Sequence, residues 1–178
     1  MLRNGHVRFG GRPAETHQFK DWQGAADRPY TEHWTGEGKL YLCAIKDVCS
    51  NRIVGYAIDK RMKASLAVRA LENAVMQRGY PKGVIVHSDR GSQYASATHR
   101  ELLTRHGLQA SMSRKGNCWD NAVMERFFLN LKMERVWQKD YANHAEASRD
   151  VADYIVGFYN NVRLHSTLGY LPPSAYER

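Results

Sequence analysis

Two acidic residues stand where side chains can act on something other than their own core. Asp89 interrupts the stretch GVIVHSDRGS (Gly83–Ser92), in which an apolar, β-branched run stops at an acid and the chain turns through Arg90 and Gly91. In an open α/β sheet the carboxyl ends of strands are where the backbone leaves the sheet and side chains face a crevice, so an acid just past such an end can meet a ligand. The plainer reading is an Asp-Arg-Gly turn with no chemistry. Thirty-five residues (90–124) separate Asp89 from Glu125. Glu125 belongs to a helical stretch with the apolar stripe Val123, Met124, Phe127 and Leu131, and it projects off that stripe. Asn121 at i−4 and Lys132 at i+7 share its side, setting amide, carboxylate and ammonium along one strip. A solvated helix face has the same composition.

The elements that must position these acids are legible in part. Residues 1–25 show neither helical nor alternating period and read as a poorly ordered tail. KLYLCAIKDV (Lys39–Val48) and RIVGYAID (Arg52–Asp59) read as two strands of a hairpin across a Cys-Ser-Asn turn. Ala67, Ala70, Leu71, Ala74 and Val75 mark one buried helical face that Gly79 stops. A buried parallel strand follows at Val84–His87, then a helix in THRELLTRHG, a short strand in LQASMS and a helix from Asp120 to about Trp137. Asn143 reads as an N-cap with Glu146 three residues on, ahead of a face of Ala147, Val151, Tyr154, Ile155 and Phe158. Helices interleaved with strands over 178 residues, 43% of them hydrophobic, predict one α/β domain.

Composition narrows the partners. A formal charge of +8 favours a polyanion, nucleic acid first. Cys43, Cys49 and Cys118 fit no zinc spacing and read as free thiols of a reducing cytoplasm. No apolar run approaches the length of a membrane span, so no membrane partner is expected.

Taken together, HSDRGSQY, KGNCWDNAVMERFFLNLK and YNNVRLHSTLGYLPP, in that order, resemble the catalytic core of bacterial transposases of the insertion-sequence three family, a retroviral-integrase-like DDE group. The resemblance runs from about Thr31 to Arg178. It implies a ribonuclease H-like mixed sheet flanked by helices, on which three carboxylates hold two divalent metals, normally Mg2+, with Mn2+ as a substitute. Asp89 and Glu125 match the second and third acids. Magnesium is a hard cation that takes oxygen ligands, and two such ions can activate an attacking oxygen and stabilise a leaving one. In this family water nicks the element's end and the freed 3′ hydroxyl attacks a DNA phosphodiester. DNA, both element ends and target, is therefore the implied partner, with a homo-oligomer assembled on it and a cytoplasmic, nucleoid-associated location. Lys132 matches a basic residue that contacts terminal DNA, and Asn121, Arg90, Arg114 and Lys115 are further DNA-binding candidates.

The pattern breaks at the first acid. Family members carry it in a W-x-x-D-I-T stretch, which counting back from Thr31 places at position 29, where this chain has Pro29. Proline also removes a backbone donor from a central strand. Asp27 is a substitute metal ligand in this reading, although one pleat repeat displaces it by roughly 6.6 Å. Asp47 is expected to serve a turn, and His87 to pack. Residues 1–30 are therefore read as an atypical segment, disordered or out of frame, and residues 31–178 as a truncated integrase-type core with a C-terminal helix and tail. The activity expected is metal-dependent DNA transposition and integration. The competing readings are a catalytically inactive DNA-binding remnant and a ribonuclease H-type nuclease.

Overall fold

The long strand β3 (Gly38–Asp47) dictates the layering. Leu40, Leu42 and Ala44 face one side of it and Cys43 and Ile45 the other, all buried, so both faces of the sheet must be covered. The computed structural model describes residues 17–20, 33–88, 91, 94–112 and 122–178. β4 (Ile53–Asp59) pairs antiparallel with β3, with Leu42 opposite Ile58 and Ala44 opposite Tyr56. Asp47 makes the turn between them, its Oδ1 accepting from the Cys49 and Ser50 amides at 2.8 and 3.2 Å. Its Oδ2 accepts from Arg78 at 2.9 Å, so the expected turn role comes with a buried ion pair.

β1 (His17–Lys20) pairs antiparallel with β3, from His17 opposite Asp47 to Lys20 opposite Ala44. It also pairs parallel with β5 (Ile85–Ser88) through Gln18 and His87. β6 (Gln109–Met112) runs parallel to β5, and β2 (His33–Thr35) pairs with the start of β3. The sheet follows the path β2-β3-β1-β5-β6, with β4 also on β3. β1, β5 and β6 thus end on one edge, at Lys20, Ser88 and Met112. The sequence places no element at His17–Lys20, and four residues are too few for a period to show; pairing with two long-range strands fixes them instead.

One face is covered by α1 (Ala64–Gln77) and α2 (Ala97–Arg105). α1 presents Leu66, Ala67, Ala70, Leu71, Ala74 and Val75 inward. It sits so close to β4 that a Cβ on Gly55 would lie 2.5 Å from the Ala70 carbonyl oxygen. Gly79 ends the helix at φ +68°, and the Tyr80 amide closes back on the Val75 carbonyl at 2.9 Å. The other face is covered by α3 (Ala122–Glu134), α4 (His144–Asp153) and a π-helical turn, Tyr154–Tyr159, continuing α4. Asn143 caps α4 as expected, its Oδ1 accepting from the Glu146 amide at 2.8 Å, while Glu146 reaches back to the Ala142 amide.

Two expected core positions lie outside the core. Val123 is exposed, and Phe128 joins Met124, Phe127 and Leu131 in the buried face of α3. Phe158 is exposed while Tyr159 is buried, because the π turn inserts one extra residue and rotates the apolar face by one position. α3 stops at Glu134, and a 3₁₀ turn at Val136–Gln138 carries Trp137 into solvent. Asn160 then closes the free edge of β4, its side chain accepting from the Ile53 amide and donating to the Ile53 carbonyl, both at 2.9 Å.

Candidate functional site

β5 is an apolar strand with a polar end. Val84 and Val86 are buried, and so are His87 and Ser88. His87 packs as expected, its Nδ1 lying 3.1 Å from the Ser111 hydroxyl on β6. Further along, Tyr94 is fully buried, donates its amide to the Gly91 carbonyl at 3.0 Å and stacks edge-on with His99. Asp89 itself lies outside the described residues. So do Arg90, Arg114, Lys115, Asn121 and Asp27.

Glu125 occupies the first turn of α3, exposed and off the buried stripe, where its place in the periodicity puts it. It lines an open cleft of about 1040 Å³ together with Arg126, Leu129 and Asn130 of the same helix. Lys46 of β3 and Tyr159, Arg163 and His165 of the C-terminal segment form the other walls. Lys132 does not line this cleft; it is half-buried near the far end of α3, where its charge acts on His33.

The cleft floor is electropositive. Lys46 faces the α3 side because it follows Leu40, Leu42 and Ala44 in alternation, and it is 4% exposed. Burial, with Arg163 and Arg126 nearby, pushes its ammonium down to about 7. Arg163 forks onto Glu134, its Nε 3.0 Å and its terminal nitrogen 2.7 Å from Oε1, and the Tyr154 hydroxyl donates to the same carboxylate at 2.6 Å. Burial acts to raise Glu134, but these hydrogen bonds outweigh it and hold the carboxyl below its usual range. Burial, then the charges of Lys46 and Arg163, push the His165 imidazole down to about 4. Its ring stands edge-on to Tyr159 with centroids 5.0 Å apart.

Sequence reasoning passed over Lys46, Arg163 and His165 as site residues. A charged residue on the inward register of KLYLCAIKDV was the available signal for the first. The other two sit in YNNVRLHSTLGY, a segment that carried the resemblance without an assigned role. Among the described residues no group of three or more His, Cys, Asp or Glu side chains is close enough to hold a metal ion.

A mixed sheet covered on both faces by helices, three of its strands running parallel, defines an α/β protein of ribonuclease H-like fold. Comparison with known proteins gives the family. Residues 19–118 and 106–173 each match an integrase core domain model, and the chain belongs to the integrase core domain family. It is 46% identical over 142 residues to the insertion element IS600 uncharacterized 31 kDa protein of Shigella sonnei, covering 80% of this chain and 52% of that one. It is 43% identical over 143 residues to the transposase InsF for insertion sequence IS3A of Escherichia coli, covering 80% and 50%. The resemblance to transposases of the insertion-sequence three family holds, and the chain spans about half the length of these relatives. Among solved structures, a chain of the simian T-cell lymphotropic virus intasome superposes with a TM-score of 0.71 at 17% identity, covering 100% of this chain and 59% of that one. The HTLV-2 integrase catalytic core domain, solved in complex with magnesium, gives 0.64 at 14% identity, covering 91% and 95%. These two likenesses are of fold.

Proposed function

We propose that this chain is the catalytic core of a bacterial transposase that nicks the ends of its element and joins them to target DNA by metal-dependent phosphoryl transfer. The observation that carries the reading is the match of residues 19–118 to the integrase core domain, with Asp89 and Glu125 at the family's acid positions. Asp89 follows the end of β5 directly in sequence, and Glu125 stands in the first turn of α3. Both are hard oxygen donors, and Glu125 is solvent-accessible beside a cleft, which fits Mg2+ or Mn2+. A bound divalent cation would supply Lewis-acid stabilisation of charge developing on the phosphate. The chain's own part is to supply the carboxylates and to meet the DNA backbone with the cations of Lys132, Arg90, Arg114 and Lys115 and the amide of Asn121. Assembly as a homo-oligomer on DNA ends, in the cytoplasm at the nucleoid, completes the reading.

The third carboxylate is the open element of the site. Pro29 stands at its family position, and Asp27 is one substitute. A second comes from β1, which ends at Lys20 alongside β5 and is followed in sequence by Asp21. We therefore add Asp21 to the candidates. The alternative reading, a DNA-binding remnant without cleavage, is favoured by Pro29 alone. A strand-transfer assay with element ends, supercoiled target and Mg2+ tests the proposal. Activity that Asp89→Asn and Glu125→Gln each reduce by about a hundredfold or more supports it. DNA binding with no joining supports the remnant, and cleavage of an RNA–DNA hybrid would point to a nuclease.

A further inference from the structure

We propose that the cleft beside α3 holds a phosphate group through the Lys46 ammonium, the Arg126 guanidinium and the His165 ring; that the phosphate belongs to a DNA backbone rests on the reading above. Lys46 is buried and lines the cleft, yet among the described residues it makes no hydrogen bond or ion pair. Its compensation is the face of Tyr159, 5.9 Å from Nζ, and the charge of Asp47, whose carboxylate is already engaged by Arg78 and two turn amides. A buried ammonium without a partner costs several kcal/mol unless a counter-charge arrives. Arg126 makes no hydrogen bond or ion pair among the described residues either, and acts on Lys46 at short enough range to depress it. His165 Nε2 is buried with no partner.

Three nitrogen-bearing groups with unspent hydrogen-bonding capacity therefore border one cleft. Arg163 adds field to the same wall, although Glu134 occupies its fork. Glu125 is the one acid among the described lining residues, and in the reading above its charge is offset by a metal. A tetrahedral oxyanion suits this arrangement because it accepts from several directions at once, whereas an apolar ligand would leave Lys46 uncompensated. The cleft is open enough, at about 1040 Å³, to admit a strand of backbone as well as a free ion.

The test compares the full chain with Lys46→Met and Arg126→Gln. Lys46→Met keeps the aliphatic volume and removes the charge, and Arg126 is exposed, so both variants should fold. Duplex DNA binding is followed by fluorescence anisotropy across a salt series, and inorganic phosphate binding by calorimetry. We expect each substitution to weaken DNA binding about tenfold and to lower the slope of log K against log salt by about one. Because both groups would hold one phosphate, the double variant should lose less than the sum of the two. Wild-type DNA binding with unchanged affinity and slope in both variants would overturn the site and leave the DNA reading intact. Inorganic phosphate binding lost in the variants, with no DNA binding by the wild type, would keep the site and reject DNA as its ligand. Neither ligand binding would overturn both.

Discussion

Replacing Lys46 by methionine should stabilise the protein, and by an amount that depends on pH. The Lys46 ammonium is pushed from 10.5 to about 7, first by burial and then by Arg163 and Arg126. At ~1.4 kcal/mol per pKa unit, the displacement corresponds to a penalty on the order of 5 kcal/mol for the charged form in the folded state. Between about pH 7 and 10.5 the unfolded chain keeps the lysine proton while the folded chain gives it up. The unfolded state then binds more protons, so wild-type stability rises with pH across that window and is lost as pH falls through about 7. Methionine fills the same aliphatic space between β3 and Tyr159 without the proton. Urea unfolding of both proteins at a series of pH values from 7 to 9 measures the difference. The variant should be more stable by roughly 2–4 kcal/mol near pH 7, and the gap should shrink steadily toward pH 9. Alkaline titration of the buried tyrosines is common to both chains and cancels. A gap that is absent, negative or independent of pH would mean that Lys46 is compensated in the folded protein, and the argument from an uncompensated ammonium would fail.

Gly55→Ala should destabilise by about 1–3 kcal/mol or prevent folding, since its Cβ would meet the Ala70 carbonyl oxygen at 2.5 Å and Ala74 at 2.6 Å, and a thermal melt equal to wild type would contradict the close packing of α1 on β4. Acid should unfold the chain early: His33 is pushed down to about 3, and His99 and His165 to about 4, in each case chiefly by burial. Their stabilising neutral forms are fully present above the unfolded value of 6.5 and lost as pH falls toward 4, at about 2 kcal/mol each by pH 5, so a circular-dichroism signal flat down to pH 4 would refute this. For the third acid, Asp21→Asn should abolish strand transfer if β1 supplies it, Asp27→Asn if the register differs, and Pro29→Asp with Tyr30→Ile should raise activity if neither does. Unchanged joining in all three would refute the assignment of a missing first carboxylate.

What the sequence made legible follows from how locally each feature is determined. The β3–β4 hairpin, the α1 face and the Asn143 cap depend on spacing within a dozen residues, and the structure places them at the expected residues. Phe158 falls outside the core because a π turn adds a residue to the ideal 3.6-residue period, and Val123 because it lies one position outside the regular stripe of Met124, Phe127, Phe128 and Leu131. β1 was illegible for another reason: its four residues carry no period, and its place comes from partners that lie far along the chain, at Ala44–Asp47 and His87.

The site divides along the same line. Glu125 could be read from the helical wheel, because its exposure is a property of one helix. Lys46 could not be assigned a role that way: alternation along β3 puts it on the inner face, but what it meets there is contributed by Tyr159, Arg163 and His165, more than a hundred residues later. That C-terminal segment reaches the sheet because Asn160 locks onto Ile53 at the edge of β4 and the π turn swings Tyr159 inward. The segment YNNVRLHSTLGY is thus joined to the sheet and to the cleft through the same few residues. Removing the Asn160 side chain would leave both backbone groups of Ile53 unpaired at once, so the edge of the sheet and the cationic wall beside Glu125 stand or fall together.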